Sequence, residues 1–296
     1  MDGRVQVTEA DWIDQRVYDL YDEYCHGRID RRTFLKQATV VAGGLAMAQA
    51  LMPRYANAQT ISFTDERIKA QYVTYPSPGG SSGTMRGYLV QPKGSGPFPC
   101  VLVIHENRGL NPYIEDVARR AATEGFLALA PDGLFPVGGY PGNDDDGREL
   151  QAKLDQAKLR TDMLNSAKYL KAHALSSGKL GVTGFCWGGG TTNYLAVALG
   201  ADLGAAVPYY GAAPVTAAVK DIKAPLLIHY AEKDDRINAM WPDYEKALKA
   251  AGVSYEMFTY PGTQHGFHNN STPRYQEAAA KLSWQRTIAH FKKNLA

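Results

Sequence analysis

Cysteine is scarce in this chain: three in 296 residues, Cys25, Cys100 and Cys186. Three dispersed thiols cannot build a disulfide framework, and no Cys-x-x-Cys pair offers a zinc or redox site. Excess charge of one sign is also lacking. Lys and Arg number 32 against 30 Asp and Glu, a formal net charge of +2. That balance gives no electrostatic footprint for a nucleic-acid or acidic-membrane partner. There is no internal repeat and no low-complexity tract. Gly and Pro punctuate singly. What remains is 45% hydrophobic residues in a chain long enough to bury one large α/β core.

The first 58 residues read as a presequence separate from the domain at 59–296. Residues 30 to 36, Asp-Arg-Arg-Thr-Phe-Leu-Lys, resemble the twin-arginine export signal of bacteria. The apolar stretch from Ala38 to Met52 is too short and too rich in Gly and Ala for a stable membrane span. Ala56-Asn57-Ala58 follows as a small-x-small cleavage pattern, with Gln59 as the first mature residue. Residues 9 to 28 read as an acidic amphipathic helix, longer than a usual signal n-region, and are expected to be part of the presequence. The expectation is a periplasmic or secreted protein that meets the twin-arginine export machinery. A retained N-terminus would instead mean a cytoplasmic one.

From residue 67 onward, strand and helix patterns alternate. Arg67–Tyr75 and Thr84–Gln91 read as an antiparallel pair. Cys100–His105, Phe126–Ala130, Lys179–Phe185, Ala205–Tyr210, Pro225–Tyr230 and Val253–Tyr260 read as buried strands, because near-continuous apolar runs mark strands covered on both faces. Helices are expected at Pro112–Glu124, 148–173, Trp187–Leu199, Pro214–Lys220, Ala239–Ala251 and Arg274–Asn294. Strands spaced by helices imply one α/β domain with a mostly parallel sheet and helices on both faces. No stretch is set aside for a large cap.

Open α/β sheets place their sites at the carboxyl ends of strands, and three features fall there. "GFCWGGG" puts Cys186 between Gly184 and Gly188, at a bend that a Cβ would obstruct. A helix N-terminus directly behind it favours a thiolate. "AEKDDRI" supplies Asp234 and Asp235, and "YPGTQHGFH" supplies His265 and His268. A thiol at its free pKa is a few per cent thiolate, so a histidine must take its proton. The histidine in turn needs a carboxylate to hold its tautomer. Nucleophile, acid, histidine is the chain order of α/β-hydrolases. Taken singly, each residue has a plainer role: a core thiol, a helix cap, a surface imidazole.

The region from about 67 to 296 resembles the dienelactone hydrolases (carboxymethylenebutenolidases), a cysteine branch of the α/β-hydrolase fold. The resemblance rests on "GFCWGG", "VIHENRGLN", "EKDDRI" and "QHGFH". It implies Cys186 as nucleophile, His265 as base and Asp234, rather than the solvated Asp235, as the acid. It also implies Glu106 as a carboxylate that contacts the resting thiol. The backbone N–H groups of Trp187 and Asn107 would then be the oxyanion donors. It implies a small ester or lactone substrate and no cofactor or metal. His105 is taken as structural.

One departure stands out. The family's best-studied branch grips a substrate carboxylate with two arginines, one of them four residues after the histidine. Here that position is Asn269, and "PDGLFPV" lacks the other. Arg108 and Arg236, with Arg148 and Arg274 behind them, are the substitutes at hand. Trp187, Phe135, Tyr140, Tyr209, Tyr210 and Trp241 suggest an aromatic acyl pocket. The rival readings are a thioesterase or peptidase on the same fold, a non-catalytic binding protein with a redox-sensitive Cys186, and a Cys100–Cys186 redox pair.

Overall fold

The structure is a computed structural model. It describes residues 60–296 and, before them, only Ile29, Thr33, Lys36, Gln37, Thr39 and Val40. The acidic helix, the cleavage pattern and most of the arginine and apolar segments lie outside the described residues.

Eight strands form one sheet in the order β1-β2-β4-β3-β5-β6-β7-β8. The strands are β1 (Ile68–Ser77), β2 (Gly83–Pro92), β3 (Phe98–Ile104), β4 (Leu127–Pro131), β5 (Ser176–Phe185), β6 (Ala205–Tyr209), β7 (Leu226–Lys233) and β8 (Tyr255–Gln264). The β1–β2 and β2–β4 pairs are antiparallel, and every pair from β4 to β8 is parallel. The helices are α1 (Pro112–Thr123), α2 (Asp144–Ala152), α3 (Gln156–Lys171), α4 (Trp187–Leu199), α5 (Asp235–Asn238), α6 (Trp241–Ala251) and α7 (Glu277–Asn294).

Side-chain alternation along the buried strands splits the core in two. On β3, Cys100, Leu102 and Ile104 face a cluster completed by α3, α4 and α6. Val101 and Val103 face the other cluster, with α1 and α7. The sheet is therefore covered on both faces, as the apolar runs predict.

Several element expectations change: the closing helix begins at Glu277 rather than Arg274, and the helix expected at Pro214–Lys220 is a 3-10 helix over Thr216–Asp221. The single helix expected over 148–173 is two helices. Asp155 interrupts it, accepting from the amides of Ala157 and Lys158 at 2.9 and 3.1 Å and starting α3 afresh. Such a cap satisfies donors that a continuous helix would otherwise bond internally. The helix expected at Ala239–Ala251 is preceded by the single turn α5 and begins two residues later, at Trp241.

Candidate active site

Strand register assembles the site. Ile104 of β3 and Gly184 of β5 are partners, so Glu106 and Cys186 each lie two residues beyond the same point. Phe185 and Tyr209 are partners, and the Cys186 N–H donates to the Tyr209 carbonyl at 3.1 Å. Lys233 and Gln264 are partners, so Asp234 and His265 are the next residues on adjacent strand ends. Parallel strands point their carboxyl ends one way, so all four residues meet on one rim.

Cys186 has φ 55° and ψ −112°, one of two described non-glycine residues with positive φ; the other is Tyr210. Such a conformation costs about 1–3 kcal/mol and persists only where its surroundings over-determine it. Here the glycines do. A Cβ on Gly184 would collide with the Gly188 carbonyl, and one on Gly188 would sit 2.5 Å from the carbonyl oxygens of Ile104 and His105. The bend therefore packs directly against β3, with Cys186 at its tip and half-buried.

His265 is 3% exposed and Asp234 6%, with His265 Nδ1 2.6 Å from Asp234 Oδ2. The Asp234 side chain makes no cap bond to α5, although the residue holds the cap position. Its carboxylate serves the histidine. Burial disfavours charge on His265, but the Cys186 and Asp234 charges and hydrogen bonds outweigh it and push the imidazole up to about 10. Both the Cys186 sulfur and the Asp234 carboxylate favour the protonated form of the ring.

Glu106 is buried and accepts from Asn269 Nδ2 at 2.6 Å. Burial raises its carboxyl pKa, as does Cys186, against lowering by Arg108, Arg274 and the Asn269 bond. His105 is structural in detail. Gly133 N–H donates to its Nε2 at 3.2 Å, so the ring proton is on Nδ1, which donates to the Glu106 carbonyl at 2.6 Å. Its ring stacks on Trp187 at 5.4 Å.

The other residues fall unevenly. Trp187 opens α4 beside Cys186, and Asn107 follows Glu106 half-buried. Arg108 is buried and paired with Asp144 at 2.9 Å. Arg236 lies half-buried on α5 and Asp235 is exposed. Tyr210 borders His265, with ring centroids 5.0 Å apart. Tyr209 lies in the core, its hydroxyl 2.6 Å from Thr287 Oγ1. Trp241 packs on Tyr230, Tyr244 and Tyr255, and Tyr140 donates to Asp144. His268 faces Tyr113, whose hydroxyl lies 2.7 Å from its Nδ1. Among the described residues no group of three or more His, Cys, Asp or Glu is arranged to hold a metal.

Cys100 is a core thiol whose pKa burial pushes up to about 11. Its register partner is Leu180, six residues before Cys186, a separation of roughly 20 Å along a strand. A disulfide needs Cα atoms within about 7 Å, so the redox pairing is excluded. Sequence reasoning missed Tyr113, Asp144 and the Asn269–Glu106 bond. Only Asn269 carried a signal, as the odd residue where an arginine was expected.

Fold and rim together define an α/β-hydrolase. The family model for "Dienelactone hydrolase family" matches residues 85–295. The chain belongs to that family and is a hydrolase of ester or lactone bonds. A second model, "YqhI-like", matches residues 6–43. Escherichia coli K12 "Putative carboxymethylenebutenolidase" is 34% identical over 273 residues, 86% of this chain and 97% of that protein. Escherichia coli K12 "Putative hydrolase fragment YghX" is 64% identical over 112 residues, 38% of this chain and 95% of that one. The crystal structure "Putative Dienelactone Hydrolase from Klebsiella pneumoniae" superposes with TM-score 0.64 at 32% identity, over 75% of this chain and 99% of that one.

Proposed function

We propose that the hydrolysis runs through Cys186, His265 and Asp234. The observation that carries this reading is the strained bend that lifts Cys186 onto the rim beside an imidazole locked to a carboxylate. Cys186 attacks the carbonyl carbon as a thiolate, with its proton on His265. The N–H groups of Trp187 and Asn107 receive the oxyanion. His265 then protonates the leaving oxygen, giving the thioester and the alcohol. It next takes a proton from water, which attacks the thioester and frees the acid. Asp234 holds the tautomer and stabilises the imidazolium throughout.

The substrate is a small ester or lactone whose acyl group lies against Trp187 and Tyr210. A substrate carboxylate finds no cation at position 269, because Asn269 spends its amide on Glu106. Arg108 is engaged by Asp144. Arg236, half-buried on the helix that follows Asp234, is the arginine nearest that side of the rim in sequence. These features favour uncharged esters and lactones over the anionic dienelactones. We also propose twin-arginine export of this enzyme, on the order of Arg31, Arg32, the apolar run and Ala56–Ala58. N-terminal sequencing of the secreted form should find Gln59.

The test is a panel of neutral and carboxylate-bearing aryl esters and lactones, given to wild type and Cys186→Ala. The substitution should cut kcat by about a thousandfold or more, with neutral members preferred. Hydrolysis surviving Cys186→Ala would remove the covalent route.

A further inference from the structure

α2 buries a polar face rather than an apolar one. Its sequence is Asp-Asp-Asp-Gly-Arg-Glu-Leu-Gln-Ala, and its buried residues are Gly147 and Gln151. Asp144 lies on the same side, because residues three and four apart share one helix face. A surface helix ordinarily docks through an apolar stripe. This one docks against the loop between β3 and α1, which carries Glu106 and Asn107. Residues 105–111 form neither helix nor strand, so neither a ladder nor a helical turn fixes them. Their position has to come from other bonds.

All three residues of the α2 face meet that loop. Asp144 Oδ2 accepts from Arg108 Nη1 at 2.9 Å, and its Oδ1 accepts from Asn111 Nδ2 at 3.1 Å. Gln151 Oε1 accepts from the Gly109 N–H at 3.1 Å. Gly147 lets the two main chains touch, since a Cβ there would collide with the Arg108 carbonyl oxygen. Asn111 is committed at both ends, because its Oδ1 accepts from the Ile114 N–H and caps α1. Tyr140, from the segment before α2, gives Asp144 a third donor at 2.8 Å. Burial pushes the Asp144 carboxyl up, but Arg108, Asn111 and Tyr140 outweigh it and hold it below its ordinary value. The group is therefore an anion at neutral pH.

We propose that Asp144 is a positioning residue for the hydrolysis, which together with Gln151 holds the Glu106–Asn111 loop so that the Asn107 N–H meets the oxyanion. The inference rests on the reading of Asn107 as an oxyanion donor. Asp144 itself touches no reacting atom. The oxyanion exists only once the carbonyl has been attacked, so a misplaced donor weakens the transition state and not the bound ester. A looser loop therefore costs kcat and spares KM.

The test pairs a neutral aryl ester with its thionoester, in which sulfur replaces the carbonyl oxygen. Sulfur is the weaker acceptor, and its longer bond to carbon misses donors placed for oxygen. A thionoester thus draws little from an oxyanion site. Asp144→Ala should cut kcat for the oxoester about tenfold, with KM within about twofold, while the thionoester loses no more than about twofold. A merely structural role would lower both rates together. Asp144→Asn keeps an acceptor for Asn111 and Tyr140 and should recover most of the loss. Gln151→Met leaves the Gly109 N–H unmet and should narrow the oxoester-to-thionoester ratio in the same direction. Glu149→Ala, on the exposed side of α2, should match wild type. Wild-type rates in Asp144→Ala and Gln151→Met, or equal losses for both esters, overturn the positioning role. If Asp144→Ala does not fold, Gln151→Met decides. A wild type indifferent to the exchange of oxygen for sulfur would instead remove the oxyanion reading itself. Should Cys186→Ala retain hydrolysis, the nucleophile reading fails, whereas the ester ratio still judges Asp144, because any nucleophile that attacks the carbonyl generates the oxyanion.

Discussion

Burial alone would keep the His265 imidazole neutral. Burial lowers its affinity for the proton, and the Cys186 and Asp234 charges reverse that, to about 10. In the unfolded chain the same ring titrates near about 6.5. Between those values the folded ring holds a proton that the unfolded ring has lost. The stability that this ring contributes therefore falls as pH rises through this window. The His265 contribution is complete below about pH 6.5 and is lost as pH passes about 10. The urea midpoint of wild type should exceed that of His265→Gln most at pH 6, and the gap should close toward pH 10. A gap that stays constant over this range would mean that the ring is neutral in the folded protein.

The β5–α4 bend acts as one element, and its glycines are contact surfaces rather than hinges. Gly188 lies against the main chain of β3, so an added methyl meets two carbonyl oxygens at 2.5 Å. Neither can rotate away as a side chain would. Gly188→Ala should cost about 3 kcal/mol or more and lower kcat with it, because the Ile104–His105 main chain it meets leads directly into Glu106. A denaturant midpoint near wild type would show that the bend can shift. This element was legible in advance: "GFCWGGG" marks the bend, and α4 spans Trp187–Leu199 as expected. Other elements were not. β7 and β8 run on to Lys233 and Gln264, past the end of the apolar runs, because ladder pairing continues where burial does not. That extension is what sets Asp234 against His265. The break before α3 was hidden because the amphipathic pattern keeps its phase across Asp155, whose cap only the folded geometry reveals. The Asn269–Glu106 clamp joins residues 163 positions apart, and no local pattern encodes such a pairing.

At the scale of the molecule, the α1 side of the sheet is tied to the start of the described domain by one carboxylate. Asp116 on α1 is fully buried. Its Oδ1 accepts from the Thr60 and Ile61 amides at 2.9 and 2.7 Å. Arg119, also buried, donates from Nε to the Ile61 carbonyl at 2.6 Å, and Arg120 Nε holds Asp116 Oδ2 at 2.7 Å. The chain is thus anchored to the outer helix of the sheet within two residues of Gln59. A protein beginning at Gln59 keeps this anchor, whereas one beginning at Asp65 strips two donors from a buried charge. Hydrogen bonds to charged groups contribute about 1.5–3 kcal/mol each, and a buried charge that loses them bears the desolvation cost. The shorter chain should therefore be less stable than the longer by at least about 2 kcal/mol in urea. Its hydrolysis of a neutral aryl ester should be little changed at temperatures where both are folded, because Asp116 lies on the α1 side of the sheet and touches none of the four rim residues. Equal midpoints would mean that the anchor contributes nothing to stability, and a large loss of kcat in the folded shorter chain would mean that the anchor reaches the rim through α1 and Tyr113.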